Sequence, residues 1–392
     1  MTWELATFSA DLLREPEAID GVEVEIVPPG TPVRVTHVLD AVEPRIRPDG
    51  RAAFPGEGRA GEGRTNRLEG VVVLSCLDFP GEERPLHEQE SIVDLGGPGA
   101  ALTPFADMTA VVLTFSPREG GHAEIDAWAR QMALAVAEEI ARGTLDAEPE
   151  EVERFELGPV AESLPAVAAL IQVSDLGPLY IQYVYGAPAG DADLPRSVDP
   201  AEVLDGAVTC GEYHWAAMRN PTWFFQCNEL IRTLYREHGK TLRFAGVVLM
   251  RGYEQSAADK QLAAERAAAV AGELGADGVV ITTDAGGNSH TDVMLTCRAC
   301  EQSGIHTTVV LAEETDPQST KPILTDWVSE ADSIVSTGNV EELVEAWTPE
   351  RVLGGDLLLD GSLAAEAGPI PVRNYLGAAN QMGQLALSAR TE

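Results

Sequence analysis

Apolar and polar positions follow one rhythm in the first half of the chain and another in the second. Residues 22–30, VEVEIVPPG, alternate apolar and acidic side chains and break at Pro-Pro-Gly, as an edge strand with one exposed face would. Residues 33–46, VRVTHVLDAVEPRI, read as a second strand, in which His37 and Asp40 are either half-buried structural groups or polar site groups. Residues 47–67 carry Gly, Arg and Pro without an apolar period and read as a mobile loop. Their glycines neither follow a strand nor open a helix, so no phosphate-binding loop is predicted there. The apolar runs 70–79, with Cys76 as a core residue, and 110–115 predict buried strands. Between them lies a Gly-Gly-Pro-Gly turn whose backbone must approach something closely. Residues 122–143 repeat apolar side chains at three- and four-residue intervals up to Gly143, the mark of an amphipathic helix. VERFELGPV at 152–160 and the stretch 167–186 supply more strands, with Tyr180, Tyr183 and Tyr185 as sheet packing. Residues 197–206 then form a short helix opened near Pro200.

From Leu242 onward strands and helices alternate. The predicted order is a strand at 243–253, a helix ended by Gly275, a strand over 276–287, a helix over 291–304, a strand over 305–314 and a short strand at 333–339. That order predicts a doubly wound parallel sheet. The fold class is therefore α/β, with a mixed N-terminal α+β sheet domain over 1–209. A segment over 210–352 contains the doubly wound domain, and 353–392 forms a less regular C-terminal extension. Ligands of such sheets bind beyond the carboxyl ends of the strands, where TDAGGNSHTD at 283–292 falls. Asp284, Asn288, His290 and Asp292 suit either a ligand or partner contact there or, equally, a tight turn and helix cap.

The formal net charge of −36 and the absence of a basic stripe exclude nucleic acid and anionic membrane surfaces as partners. Only three of the 27 basic residues are lysines, so biased coding accounts for the composition as well as function does. No window holds the ~18 uninterrupted apolar residues of a membrane helix. The first residues show no basic region ahead of an apolar core, so a cytoplasmic protein is expected. Five cysteines without an export signal point to reduced thiols. Cys297 and Cys300 form a C-x-x-C pair inside a helical pattern and read as core or helix-face residues ahead of a redox pair. No metal site is predicted.

One stretch, 204–232, combines an Asp-Gly turn, the dipeptide Thr209-Cys210 and the densest aromatic cluster, Tyr213, Trp215, Trp223, Phe224 and Phe225. An interior cysteine in a turn can attack the preceding carbonyl, form a thioester and, after β-elimination, leave a pyruvoyl group on a new chain end. On residue type alone Cys210 reads as a small buried hydrophobe. Cys227 reads as packing ahead of a second site thiol.

The wider text changes that reading. VRVTHVLDAVEPR (33–45), SIVDLGGPGAALTPF (91–105), FELGPV (155–160), YVYG (183–186) and DGAVTC (205–210) resemble the proprotein subunit of component B of the glycine, sarcosine and betaine reductases. So do NPTWFFQCNELI (220–231), LYREHGK (234–240), ELGADGVVITTDAGGNSHTDVMLTCR (273–298) and IVSTGN (334–339). The pyruvoyl proprotein of D-proline reductase is a more distant likeness. The resemblance implies self-cleavage between Thr209 and Cys210, a pyruvoyl cofactor derived from Cys210, and fragments that stay together. It implies reductive cleavage of a C–N bond in a small amino acid or amine. A separate selenol- or thiol-bearing catalytic subunit would attack the carbon, in a hetero-oligomer, because this chain lacks a convincing low-pKa nucleophile. Asn220, Gln226 and Asn228 match the family's polar positions after the cysteine, with Asn228 expected to orient substrate. Thr-Cys matches the proline-reductase relative, whereas Asn-Cys is expected of the others, which leaves the substrate open. An unprocessed binding subunit of such a complex is the alternative.

Overall fold

The computed structural model describes residues 19–53, 60–78, 90–117, 122–175, 182–209, 216–284, 286–315, 324, 326–383, 385 and 388–390. Its largest sheet has seven strands, in the spatial order Arg196–Val198, Arg243–Arg251, Ala166–Val173, Gly278–Thr282, His306–Glu313, Ile334–Asn339 and Ser388–Arg390. The inner five run parallel, and the two end strands are antiparallel. Numbered along the chain, the parallel strands lie in the order 2-1-3-4-5, so the winding reverses between Ala166–Val173 and Gly278–Thr282.

Strand alternation sends side chains to two cores. Ala168, Leu170 and Val248 meet Ala264, Ala267 and Ala271 of helix Ala257–Glu273 and Val293 and Cys297 of helix Asn288–Gln302. The alanine face lets the first of these helices lie close to the sheet. Ala169, Ile171, Val247 and Leu249 point the other way, toward Ile231 and Leu234 of helix Glu229–Glu237. The doubly wound α/β class follows from these two covered faces.

A second sheet orders Ile19–Val27, Thr109–Pro117, Val71–Leu77 and Val38–Val42, with the predicted edge strand at its edge. Helix His122–Arg142 packs Ala129, Met132 and Ala133 on one face. The other face joins the core of the large sheet through Phe105, Trp223 and Phe224, whose ring centroids stand 5.4–5.9 Å apart. The aromatic run 223–225 is thus the packing between the two sheets.

Three sequence expectations change. The single strand expected over 33–46 breaks at His37, whose φ of 51° turns the chain, and Val33–Val35 leaves to pair with Val93–Asp94 and Arg351–Leu353. VERFELGPV forms no strand, and among the described residues no strand pairs with it. The strand Ala166–Val173 belongs to the expected first domain, yet it sits at the centre of the large sheet. A cut after residue 209 therefore leaves two pieces sharing one sheet. The C-terminal stretch is woven in too, since Ser388–Arg390 extends that sheet. The Gly-Gly-Pro-Gly turn meets what its sequence requires: a Cβ on Gly97 would stand 2.4 Å from the Trp347 ring. Cys297 and Cys300 are free thiols buried on the helix face. Tyr183 lies in a short strand, Tyr185 donates from its hydroxyl to Glu202, and Tyr180 lies outside the described residues. No described helix is long and apolar enough to cross a membrane.

Candidate functional site

Buried amides and acids gather where the winding reverses. Asp284, just past the strand Gly278–Thr282, accepts from Gln182 Nε2 at 2.9 Å and Asn220 Nδ2 at 3.4 Å. Its backbone N–H donates to Gln172 Oε1 at 3.1 Å, and Gln172 Nε2 reaches the carbonyl of Ser289 at 3.2 Å. Gln172, Gln182, Asn220, Asp284 and Ser289 are all at most 1 % exposed. Helix Asn288–Gln302 starts here with Gly287 at its N-cap and no side-chain cap. In its first turn His290 is buried, with Nδ1 3.8 Å from Glu314 Oε1. Burial pushes the imidazole down to about 4, so it is neutral at pH 7. A Cβ at Gly286 would stand 2.1 Å from Glu314 Oε1 and 2.9 Å from Met218 Cε, so a side chain there would displace the ends of both.

Cys210, with residues 211–215 including Tyr213 and Trp215, lies outside the described residues. The chain on either side of it is held to this shell. Val208–Thr209 pairs with Tyr183–Val184, next to Gln182. On the far side, Ala216 and Ala217 bond the backbone of Arg373, Gly377 and Ala379, and Asn220 follows against Asp284.

The approach to Thr209 is clamped from the N-terminal half. Asp199 and Glu202 form a capping box for helix Pro200–Leu204. Arg45 donates to the Leu204 carbonyl, while Asp205 accepts from Arg47 at 2.5 Å, Thr65 at 2.7 Å and the Gly61 N–H at 2.9 Å. Glu43 in turn binds Arg45 at 2.6 Å and Arg67 at 2.8 Å. Burial alone would raise Glu43, but the two guanidiniums outweigh it and hold the carboxyl down at about 2.

Of the expected site residues, Asn220 and Asp284 meet, and Thr209 is tied to the same shell through Tyr183. The others have different employment. Asn228 accepts from the Ile231 N–H at 3.0 Å as the N-cap of helix Glu229–Glu237. Gln226 closes two bonds with the Glu43 backbone, at 2.9 and 3.3 Å. Asp292 pairs with Lys260 at 2.6 Å and accepts from the Tyr253 N–H. Asn288 is exposed at the helix start. Cys227 lies against Glu43, Arg45 and Arg67, and burial together with Glu43 pushes its thiol up to about 12. Asp40 caps Thr222, and His37 pairs with Glu90 at 3.0 Å, so both are structural here. Gln172, Gln182 and Glu314, and the arginines of the stretch expected as a mobile loop, had no sequence signal beyond polarity. A cleft of about 520 Å³ lined by Glu90, Leu359, Arg373 and Asn374 shares no residue with this shell. Among the described residues no three His, Cys, Asp or Glu side chains cluster as metal ligands would.

The profile of the glycine/sarcosine/betaine reductase component B subunits matches residues 7–372. The chain belongs to that family. It is 31 % identical over 401 residues to the glycine reductase complex component B subunits alpha and beta of Acetoanaerobium sticklandii, covering 97 % of this chain and 91 % of the relative. It is 33 % identical to the sarcosine reductase complex component B subunit alpha of Peptoclostridium acidaminophilum, covering 88 % and 81 %. The betaine reductase complex component B subunit alpha of that organism is 33 % identical, covering 91 % and 88 %. No solved structure matches.

Proposed function

We propose that this chain is the substrate-binding, pyruvoyl-forming subunit of a reductase complex that cleaves the C–N bond of a small amino acid or related amine. Self-cleavage would fall between Thr209 and Cys210. One observation carries the reading: the chain segments flanking Cys210 converge on Asp284, the residue at the reversal of the sheet. Such reversals are where doubly wound sheets bind ligands.

A pyruvoyl group, when present, supplies a ketone that draws electrons from an amine nitrogen and makes it a better leaving group. The surrounding residues fit such a group, being buried, polar and fixed on both sides of position 210. The strand pairing of Thr209 and the clamp of Arg45 and Arg47 hold the scissile bond's acyl side in one place. Asp284 and Glu314 balance the positive charge of the substrate. Carbon–nitrogen cleavage then needs a nucleophile at carbon as the electron pair passes to nitrogen, which takes up a proton. The four described thiols are all buried, with pKa values raised by burial, so a selenol or thiol of a separate catalytic subunit supplies that nucleophile in a hetero-oligomer.

Denatured intact mass with and without hydrazine tests the reading. Two fragments meeting between Thr209 and Cys210, the second shifted by hydrazine, are expected, and Cys210→Ala should remain one chain. A Cys210→Ala protein cut as the parent is would place the bond elsewhere.

A further inference from the structure

From Leu204 to Thr209 every residue is tethered, and the side chains that tether the first two come from far upstream. Arg45–Ile46 pairs antiparallel with Asn66–Arg67, and residues 60–65, which lead into this ribbon, lie on helix Pro200–Leu204. Gly61 permits the contact: its φ is 76°, and a Cβ there would stand 2.9 Å from both the backbone nitrogen and the Cγ of Glu202. Asp205, the buried C-cap of the helix, receives three donors from the upstream segment, Arg47, Thr65 and the Gly61 N–H, while Arg45 takes the Leu204 carbonyl. Gly206 turns the chain with a φ of 90° and donates to the Val203 carbonyl at 3.3 Å. The Ala207 carbonyl then accepts from the Tyr185 N–H at 2.7 Å, and Val208 and Thr209 pair with Val184 and Tyr183.

A helix of five residues needs no such apparatus to end. A buried ion pair such as Arg47 with Asp205 adds little net stability over apolar packing, but it admits only one geometry. Self-cleavage is sensitive to geometry. In its first step Cys210 Sγ bonds to the Thr209 carbonyl carbon, the C–N bond breaks, and the thiol proton ends on the freed amine. Holding the acyl group still raises the rate of such an intramolecular transfer, and small misplacements from a distance lower it steeply. We propose that Asp205 is a positioning residue for self-cleavage and that Arg47 with residues 60–65 is the element that docks on it, so that the chain is cut only after its N-terminal half has folded onto helix Pro200–Leu204. This rests on the reading of Thr209 and Cys210 given above and adds what licenses the cut.

Cell-free synthesis of the full chain, followed by a chase in which denatured intact mass reads the fraction cut, tests the proposal. Asp205→Asn should slow cutting at least about 10-fold, and Gly61→Ala should do the same from the docking side. Thr65→Val removes a single hydroxyl bond and should slow it less. Melting temperatures of the same substitutions in a Cys210→Ala background, where each protein is one uncut chain, show which are folded at the assay temperature. Ser256→Ala removes the N-cap of the remote helix Ala257–Glu273, so it should lower the melting temperature and still cut at the parent rate. Hydroxylamine, which cleaves thioesters, reads the acyl step itself. Added to the chase, it should release far less of the first fragment from Asp205→Asn than from the parent, a difference that loss of stability alone would not produce. Folded Asp205→Asn and Gly61→Ala proteins that cut at the parent rate overturn the positioning role, as does equal slowing by Ser256→Ala. If Asp205→Asn does not fold, Gly61→Ala and Thr65→Val decide in the same way. A parent that is never cut sinks the reading of Thr209 and Cys210 and this proposal with it, so the mass of the parent tells the two failures apart.

Discussion

Replacing Glu43 by Gln removes the charge at the centre of the clamp behind Thr209 and leaves the two arginines facing one another. Glu43 is 3 % exposed and Arg45 is 4 % exposed in side chain, with Arg67 at 23 %. The carboxyl titrates at about 2 in the folded protein against 4.5 ordinarily, a difference worth about 3 kcal/mol at pH 7. Breaking a buried ion pair from one side costs ~3–5 kcal/mol, so two separate routes give one magnitude. The sign follows from the direction. Because the folded value lies below the unfolded one, the contribution is present above about pH 4.5 and fades as pH falls toward 2. Urea unfolding of parent and Glu43→Gln across pH 7 to 3 reads this directly. Their difference should shrink from about 3 kcal/mol at pH 7 to roughly half that at pH 3. A difference that stays constant over this range would show that Glu43 contributes through packing and not through its charge, and the clamp argument would fall.

Gly377 has a φ of 68°, and a Cβ there would stand 2.0 Å from the Phe224 ring, so Gly377→Ala should destabilise by about 2–4 kcal/mol in thermal unfolding. Asn228→Ala should cost about 1–2 kcal/mol of stability through the lost helix cap and leave glycine affinity unchanged. A loss of affinity without loss of stability would return Asn228 to the substrate. Cys76, Cys227 and Cys300 have thiols pushed up to about 12 by burial, so at pH 8 they should resist Ellman's reagent until the protein is denatured.

Much of the architecture was legible as periodicity. Between residues 243 and 339 the strands and helices of the large sheet appear where the apolar rhythm places them, because both faces of the sheet are covered and every element must carry a continuous apolar side. Rhythm also misled. VERFELGPV has a strand's composition but no strand pairs with it among the described residues, and 33–46 has a strand's alternation but breaks at His37, held by Glu90 and the Leu357 carbonyl. Both outcomes depend on partners far along the chain.

The sequence by itself determined the α/β class, the family and the dipeptide at which chemistry is expected, since these rest on local pattern and on residue order. The tertiary structure decided which polar residues meet. Asp284 lies 102 positions from Gln182 and 64 from Asn220, and Gln226 lies 183 positions from Glu43. Loop closure over such distances leaves no periodic trace. Charge was the hardest feature to place in advance. Arg45 falls in a predicted strand and Arg67 at the end of a Gly- and Pro-rich loop, and nothing in either pattern places them inward, where a buried carboxylate pairs with both. Whether a polar side chain serves a cap, a clamp or a ligand depends on which partner folding brings within about 3 Å of it.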